Sequence, residues 1–254
     1  MSFRLLDRPC ADWTGCEQAL SDPDFFTRWR AAVAQRLAER HGEVPERTTA
    51  GYVLQWYLGV PAHLGAMLFH SARRVPSLHP TQLAFRLDPG WVQEVGLRPG
   101  SFWCLPGDPA ARHPGATTVP DEIELGAVLR REVVAHATRF LRTYAPLVRF
   151  GRRTLWAAVT DVLDTGLLLA GRAFGSAQAG AADARLVLAE RTEPLTSAST
   201  TCPVIDERGR THWTRRRGSC CFYYALSGVE HPCATCPRVD DAERRRLLGG
   251  IEPA

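Results

Sequence analysis

Four cysteines crowd into seventeen residues near the C-terminus, Cys220, Cys221, Cys233 and Cys236, while Cys10, Cys16, Cys104 and Cys202 are scattered through the rest of the chain. Two close thiol pairs supply the ligand count of a 2Fe-2S or zinc centre, and the eleven residues between them are enough to fold one pair over the other. Cys233-Ala234-Thr235-Cys236 lets two sulfurs converge, but adjacent residues such as Cys220 and Cys221 point their side chains apart and chelate one tetrahedral ion poorly. A thioredoxin-like dithiol needs its Cys-x-x-Cys after a strand in a βαβ unit and has no use for a second pair. The spacing favours iron-sulfur, with zinc and dithiol chemistry left open.

The remainder is that of a folded protein. A chain of 254 residues, 45% hydrophobic and 23% charged, can bury a proper core as one domain or a domain plus a small module. Lys+Arg 31 against Asp+Glu 27 gives +4, too mild and too spread for a nucleic-acid binder. The first eight residues lack a signal-peptide apolar core, so the expected compartment is the reducing cytoplasm, where clustered thiols mean metal or redox chemistry. The longest apolar stretch, Leu155–Ala170, carries Asp161 and Asp164, which argues against a transmembrane span and leaves peripheral docking at the inner membrane face open.

Apolar spacing predicts a helix over Asp22–Glu39, capped by Ser21 or Asp22, and two short helices over Thr48–His70 broken near Pro61. Alternation in Gln82–Trp103, with Asp88-Pro89-Gly90 and Arg98-Pro99-Gly100 as turns, predicts the sheet. A loop over Cys104–Pro120 precedes a helix opened by Asp121, and a second long helix is expected from Pro146 to about Arg172. Gly175–Ala182 looks flexible, with Gly171, Gly175 and Gly180 as packing positions; helical spacing returns over Asp183–Arg191, and Pro194–Pro203 reads as a linker. The expected fold is α+β and predominantly helical. Residues 1–195 form a larger helix-rich domain with a minor antiparallel sheet, and residues 196–254 a small C-terminal cluster module built on four cysteines.

The run Arg217-Gly218-Ser219-Cys220-Cys221-Phe222-Tyr223-Tyr224, followed by Gly228-Val229-Glu230 and Cys233-Ala234-Thr235-Cys236-Pro237, resembles the C-terminal signature of the FhuF family of ferric-siderophore reductases. The likeness covers about the last forty residues, and the loop between the second and third cysteines is one residue longer than is common there. It implies a 2Fe-2S cluster on Cys220, Cys221, Cys233 and Cys236, and an oxidoreductase that passes one electron to a bound Fe(III)-siderophore, expected to be of the hydroxamate type, to release Fe(II). It also implies a siderophore-binding role for residues 1–195. No Gly-x-Gly-x-x-Gly or Walker-type run offers a nucleotide site, so the electron donor is expected to be a ferredoxin or ferredoxin reductase.

Trp213, Arg215, Arg216 and Arg217, just before the ligands, are candidate contacts for an anionic siderophore or an acidic donor, set against the plainer reading of a solvated turn. Tyr223 and Tyr224 are candidates for shielding the centre, and His231 is read as an ordinary loop residue rather than a Rieske-type ligand. His63 and His70 receive no role. The competing expectation is a non-enzymatic binding or sensor protein whose tail is folded by a cluster or a zinc ion.

Overall fold

The computed structural model describes residues 2–6, 12–88, 90–189 and 191–251; Cys10 lies outside them. In chain order the elements are β1 (Ser2–Leu5), β2 (Thr14–Gly15), α1 (Cys16–Ser21), α2 (Phe25–His41), α3 (Glu46–Ala72), β3 (Arg74–Pro76), β4 (Leu83–Asp88) and β5 (Trp91–Leu97). They continue through β6 (Phe102–Cys104), β7 (Ala116–Thr118), α4 (Glu122–Tyr144), α5 (Arg152–Ala173), α6 (Ala177–Val187), β8 (Cys202–Ile205), β9 (Thr211–Thr214) and α7 (Asp241–Gly249). The helix-rich α+β expectation holds.

The sheet is not one antiparallel unit. A four-stranded sheet has the order β1-β5-β4-β2 with β1 and β5 parallel, a second runs β3-β6-β7 with β6 and β7 parallel, and β8 and β9 form a hairpin. β7 arises inside the segment expected to be a loop, because Ala116, Thr117 and Thr118 pair with Phe102, Trp103 and Cys104. That pairing is non-local, and local composition carries no trace of it.

α3 is one helix of 27 residues with Pro61 in its interior, not two. Proline removes a backbone hydrogen bond at a cost of about 3 kcal/mol. Val53, Leu54, Tyr57, Leu58, Leu64 and Phe69 are all buried along the same helix, and at roughly 1.5–3 kcal/mol each their burial outweighs it. Tyr57 stacks on Phe140 with ring centroids 4.2 Å apart, and Phe26, Phe85 and Tyr144 complete an aromatic cluster joining α2, α3, α4 and β4. The buried His136 meets the Leu78 carbonyl at 2.6 Å and the Tyr57 hydroxyl at 3.2 Å, which satisfies both ring nitrogens.

α5 starts at Arg152, after a Gly151 cap, rather than at Pro146. It is long and apolar enough to cross a membrane by length and composition, yet it lies mostly buried inside the protein. Small residues bring it close to α3: a Cβ on Gly166 would stand 3.1 Å from the Ala66 Cβ and 3.2 Å from the Ala62 carbonyl. Gly180 does the same for α6, where a Cβ would meet the Leu167 carbonyl at 2.5 Å. Most of the segment read as flexible, residues 177–182, therefore belongs to α6, which begins at Ala177 under a Ser176 cap rather than at Asp183. The expected linker is packed too, with Leu195 in the core and Thr196 N–H donating to Thr160 Oγ1 at 3.3 Å.

Candidate iron-sulfur site

Two aspartates interrupt the apolar face of α5, and both are spent on the C-terminal tail. Asp161 accepts from the Gly218 N–H at 2.8 Å, the Ser219 N–H at 2.7 Å and the Ser219 hydroxyl at 2.5 Å. Asp164 accepts from Ser199 Oγ at 2.7 Å, Thr201 Oγ1 at 2.9 Å and the Thr200 N–H at 3.1 Å. A carboxylate buried in an apolar helix needs such donors, because leaving it unpaired costs several kcal/mol. The residues just before Cys220 are thereby fixed to the core.

α3 supplies the facing wall. A Cβ on Gly51 would stand 3.4 Å from the Cys221 carbonyl, so glycine there allows the close approach. Thr48 Oγ1 donates to the Phe222 carbonyl at 3.3 Å. The Tyr52 phenol is pushed well above its ordinary pKa by burial first and then by the neighbouring Cys221, Tyr223 and Cys233.

The Cys-x-x-Cys turn is closed by the Cys236 N–H on the Cys233 carbonyl at 2.8 Å and tied to the other pair by the Arg217 N–H on the Thr235 carbonyl at 2.9 Å. From α7, the buried Arg244 donates to the carbonyls of Ala234, Cys236 and Val239 at 3.0, 3.5 and 3.0 Å. The thiols approach in two pairs, one from each motif, with Cys221 hydrogen-bonded to Cys233 and Cys220 to Cys236, all four remaining free thiols. The bond from Cys221 lowers the Cys233 thiol to about 6, aided by Thr235 and Arg217, and raises that of Cys221. Burial raises the Cys236 thiol. A lowered Cys233 thiol is the direction that favours the thiolate, the form that binds metal.

Three or more Cys, His, Asp or Glu side chains gathered for one metal ion are not found among the described residues. Two pairs of sulfurs suit a two-iron centre, whose metals take two thiolates each, better than a single tetrahedral ion. A second observation concerns charge. Arg217 is 8% exposed, and its Nε and Nη2 are buried without a hydrogen-bond partner, 3.8 Å being the nearest approach of Nε to Asp161. Its charge acts on both Cys221 and Cys233. Orphaned buried donors cost about 1–3 kcal/mol each unless an acceptor meets them, and an anionic iron-sulfur centre on these thiols is such an acceptor. The donor set therefore fits a 2Fe-2S cluster.

The other predicted residues divide. Arg215 is half-buried beside Asp161 at 3.8 Å, and Trp213 is half-buried with its carbonyl taking the Arg172 guanidinium at 2.5 Å. Arg216 alone of the basic run is exposed. Tyr223 is exposed, Tyr224 accepts from Arg238 at 3.0 Å, and His231 is exposed. Cys16 and Cys104 are buried, and Cys202 is exposed on β8. His70 pairs with Asp183 at 2.6 Å, whereas His63 is buried with its Nε2 unpartnered. A cavity of about 880 Å³ lies against β8, β9 and α7, with Thr200, Arg215, Arg216, Arg244 and Arg245 in its wall. Arg216 reaches from there to the carbonyl of Pro237, next to Cys236, at 3.4 Å. Sequence reasoning missed Asp161, Gly51, Tyr52 and Arg244; only the aspartate left a signal, as a charge inside an apolar helical run.

Residues 217–238 match the family model of the FhuF 2Fe-2S C-terminal domain. No curated protein matches the chain. Among solved structures, the ATP-bound aerobactin synthetase IucA from a hypervirulent pathotype of Klebsiella pneumoniae is similar at 14% identity and a TM-score of 0.38, over 60% of this chain and 27% of that one. A likeness so low carries no argument.

Proposed function

We propose that the chain is a ferric-siderophore reductase, with Cys220, Cys221, Cys233 and Cys236 as the ligands of a 2Fe-2S cluster. The observation that carries this reading is the pairing of the four buried or half-buried thiols against the orphaned donors of Arg217. Such a cluster, when bound, supplies one electron at a time. Fe(III) is a hard ion held by siderophore oxygens, hydroxamates in the form we favour, and Fe(II) binds those oxygens far less tightly. One electron added to the chelated metal yields Fe(II) and free siderophore, with no covalent bond to the protein.

The chain's own residues do the holding. Asp161, Gly51 and Arg244 position the two cysteine motifs, and Arg217 offsets their negative charge. For the substrate, the cavity bordered by Arg215 and Arg216 is of ligand size. Arg216 is the exposed side chain of the run, placed to meet a carboxylate carried by the chelate, while Arg215 and Arg217 face Asp161 at 3.8 Å and the Trp213 carbonyl takes Arg172. Residues 1–195 then serve as the scaffold and residues 196–254 as the cluster module, in a cytoplasmic protein fed by a ferredoxin or ferredoxin reductase.

The test is an anaerobic titration of dithionite-reduced protein with a ferric hydroxamate siderophore, following visible absorbance and Fe(II) caught by a ferrous chelator. Reoxidation with matching Fe(II) is expected. A reduced spectrum that persists in excess chelate overturns the reading and leaves a structural or sensing centre.

A further inference from the structure

Phe222 follows the ligand Cys221 with φ of +58°, a left-handed backbone that bulky residues rarely adopt. Its ring is not spent on the core. It stacks on Phe150 at 5.6 Å and 13°, and the Arg47 guanidinium lies 5.4 Å from its centroid. Phe150 and Arg47 also line a shallow cavity of about 250 Å³, together with Arg30, Glu46 and Arg149. Glu46, its one acidic lining residue, is neutralised by Arg30 at 2.7 Å. Arg47 and Arg149 are exposed, Arg152 and Arg153 follow at once and are exposed too, and none of the four makes an ion pair among the described residues. This basic face shares no residue with the cavity bordered by Arg216.

We infer that the face formed by Arg47, Phe150, Arg149, Arg152 and Arg153 around Phe222 is the docking surface for an acidic one-electron carrier protein. The inference rests on the reductase reading and adds where the electron enters. Charge complementarity selects the occupant: Arg47 over the Phe222 ring and Arg149 beside Phe150, with the exposed Arg152 and Arg153 next along the chain and no ion pair to any of the four among the described residues, steer a negatively charged protein and seat it beside Cys221. At about 250 Å³ this cavity is small for a chelate, which the cavity of about 880 Å³ bordered by Arg216 fits better. The balance is simple, since one electron leaves the reduced carrier, which is oxidised, and the iron-sulfur site is the acceptor. Electrons would thus enter beside Cys221 and leave beside Cys236.

The probe is a reduced plant-type ferredoxin, mixed anaerobically with the full-length, cluster-loaded protein in a stopped-flow instrument. The quantity read is the second-order rate with ferredoxin divided by the rate with dithionite. In wild type the ferredoxin rate should fall steeply as salt rises from about 0.01 to 0.15 M, as the Debye length shrinks from about 30 to 8 Å. Arg149→Glu with Arg153→Glu should lower the ratio at least tenfold, and Arg185→Glu, on α6, should leave it within twofold. A ratio unchanged in the double variant, or a variant that alters only the ferric-chelate KM, overturns the docking face. The ferric siderophore titration of dithionite-reduced protein bypasses the carrier, so a docking failure leaves its outcome untouched, and a failure there condemns the reductase reading by itself.

Discussion

Replacing Asp161 by Asn removes a single charge and almost no volume, yet should cost about 3–5 kcal/mol of stability. The carboxylate takes three donors from Gly218 and Ser219 at 2.5–2.8 Å and faces Arg215 and Arg217 at 3.8 Å. An amide keeps one acceptor and turns an NH2 toward donors, so at least one hydrogen bond worth roughly 1.5–3 kcal/mol to a charged group is lost. Two buried guanidinium groups also lose their counter-charge, and because these partners share one network the terms do not simply add. Urea unfolding in anaerobic, reducing buffer gives the stability, and the rate of thiol labelling at the four clustered cysteines gives the local effect. Both should move together, with faster labelling well below the unfolding midpoint. A loss under about 1 kcal/mol with labelling unchanged would refute the view that α5 holds the cysteine motifs in place.

Arg217→Gln should lower the midpoint potential of the loaded protein, since it takes a positive charge from beside Cys221 and Cys233; a tenfold change in the redox equilibrium is about 59 mV, readable by potentiometry at fixed pH, and an unchanged potential with the cluster intact would count against it. Cys233→Ser and Cys236→Ser should abolish visible absorption and bound iron and sulfide, while Cys202→Ser, exposed on β8, retains them. Burial lowers His63 and His136 to about 4, so the unfolded chain binds their protons first as pH drops. The contribution of these two histidines should be flat above about pH 6.5 and fall from there toward pH 4, by up to about 3 kcal/mol per histidine, in denaturant titrations across that range. Gly180→Ala drives a Cβ to 2.5 Å from the Leu167 carbonyl on rigid backbone, and should cost about 1–3 kcal/mol in the same assay.

The parts of the fold that could be read in the sequence are those with local causes. The apolar period of α2 and the Asp121 cap of α4, which accepts the Glu124 N–H at 2.9 Å, came through within a few residues. Pro61 misled because proline's penalty is local while the burial that overcomes it is set by α5 and the aromatic cluster. β7 and the parallel β1–β5 pair depend on partners far along the chain. The four clustered cysteines stand out in the sequence because thiol spacing is chemistry written in order. Their supports do not: Gly51 and Tyr52 approach the site from a helix about 170 residues earlier, and nothing around them in sequence distinguishes them from core residues.

The burial of α5 against the tail also has a meaning in time. Ser219 follows Asp161 by 58 residues, and at roughly 5–20 residues per second synthesis takes about 3–12 s to bridge that gap. Throughout it, a helix apolar enough to enter a bilayer carries two carboxylates whose donors have not yet been made. Until those donors are made, the two carboxylates stay hydrated and charged, which opposes both the burial of that face and its entry into a membrane. Those two residues would act first as solubilising groups and afterwards as a latch.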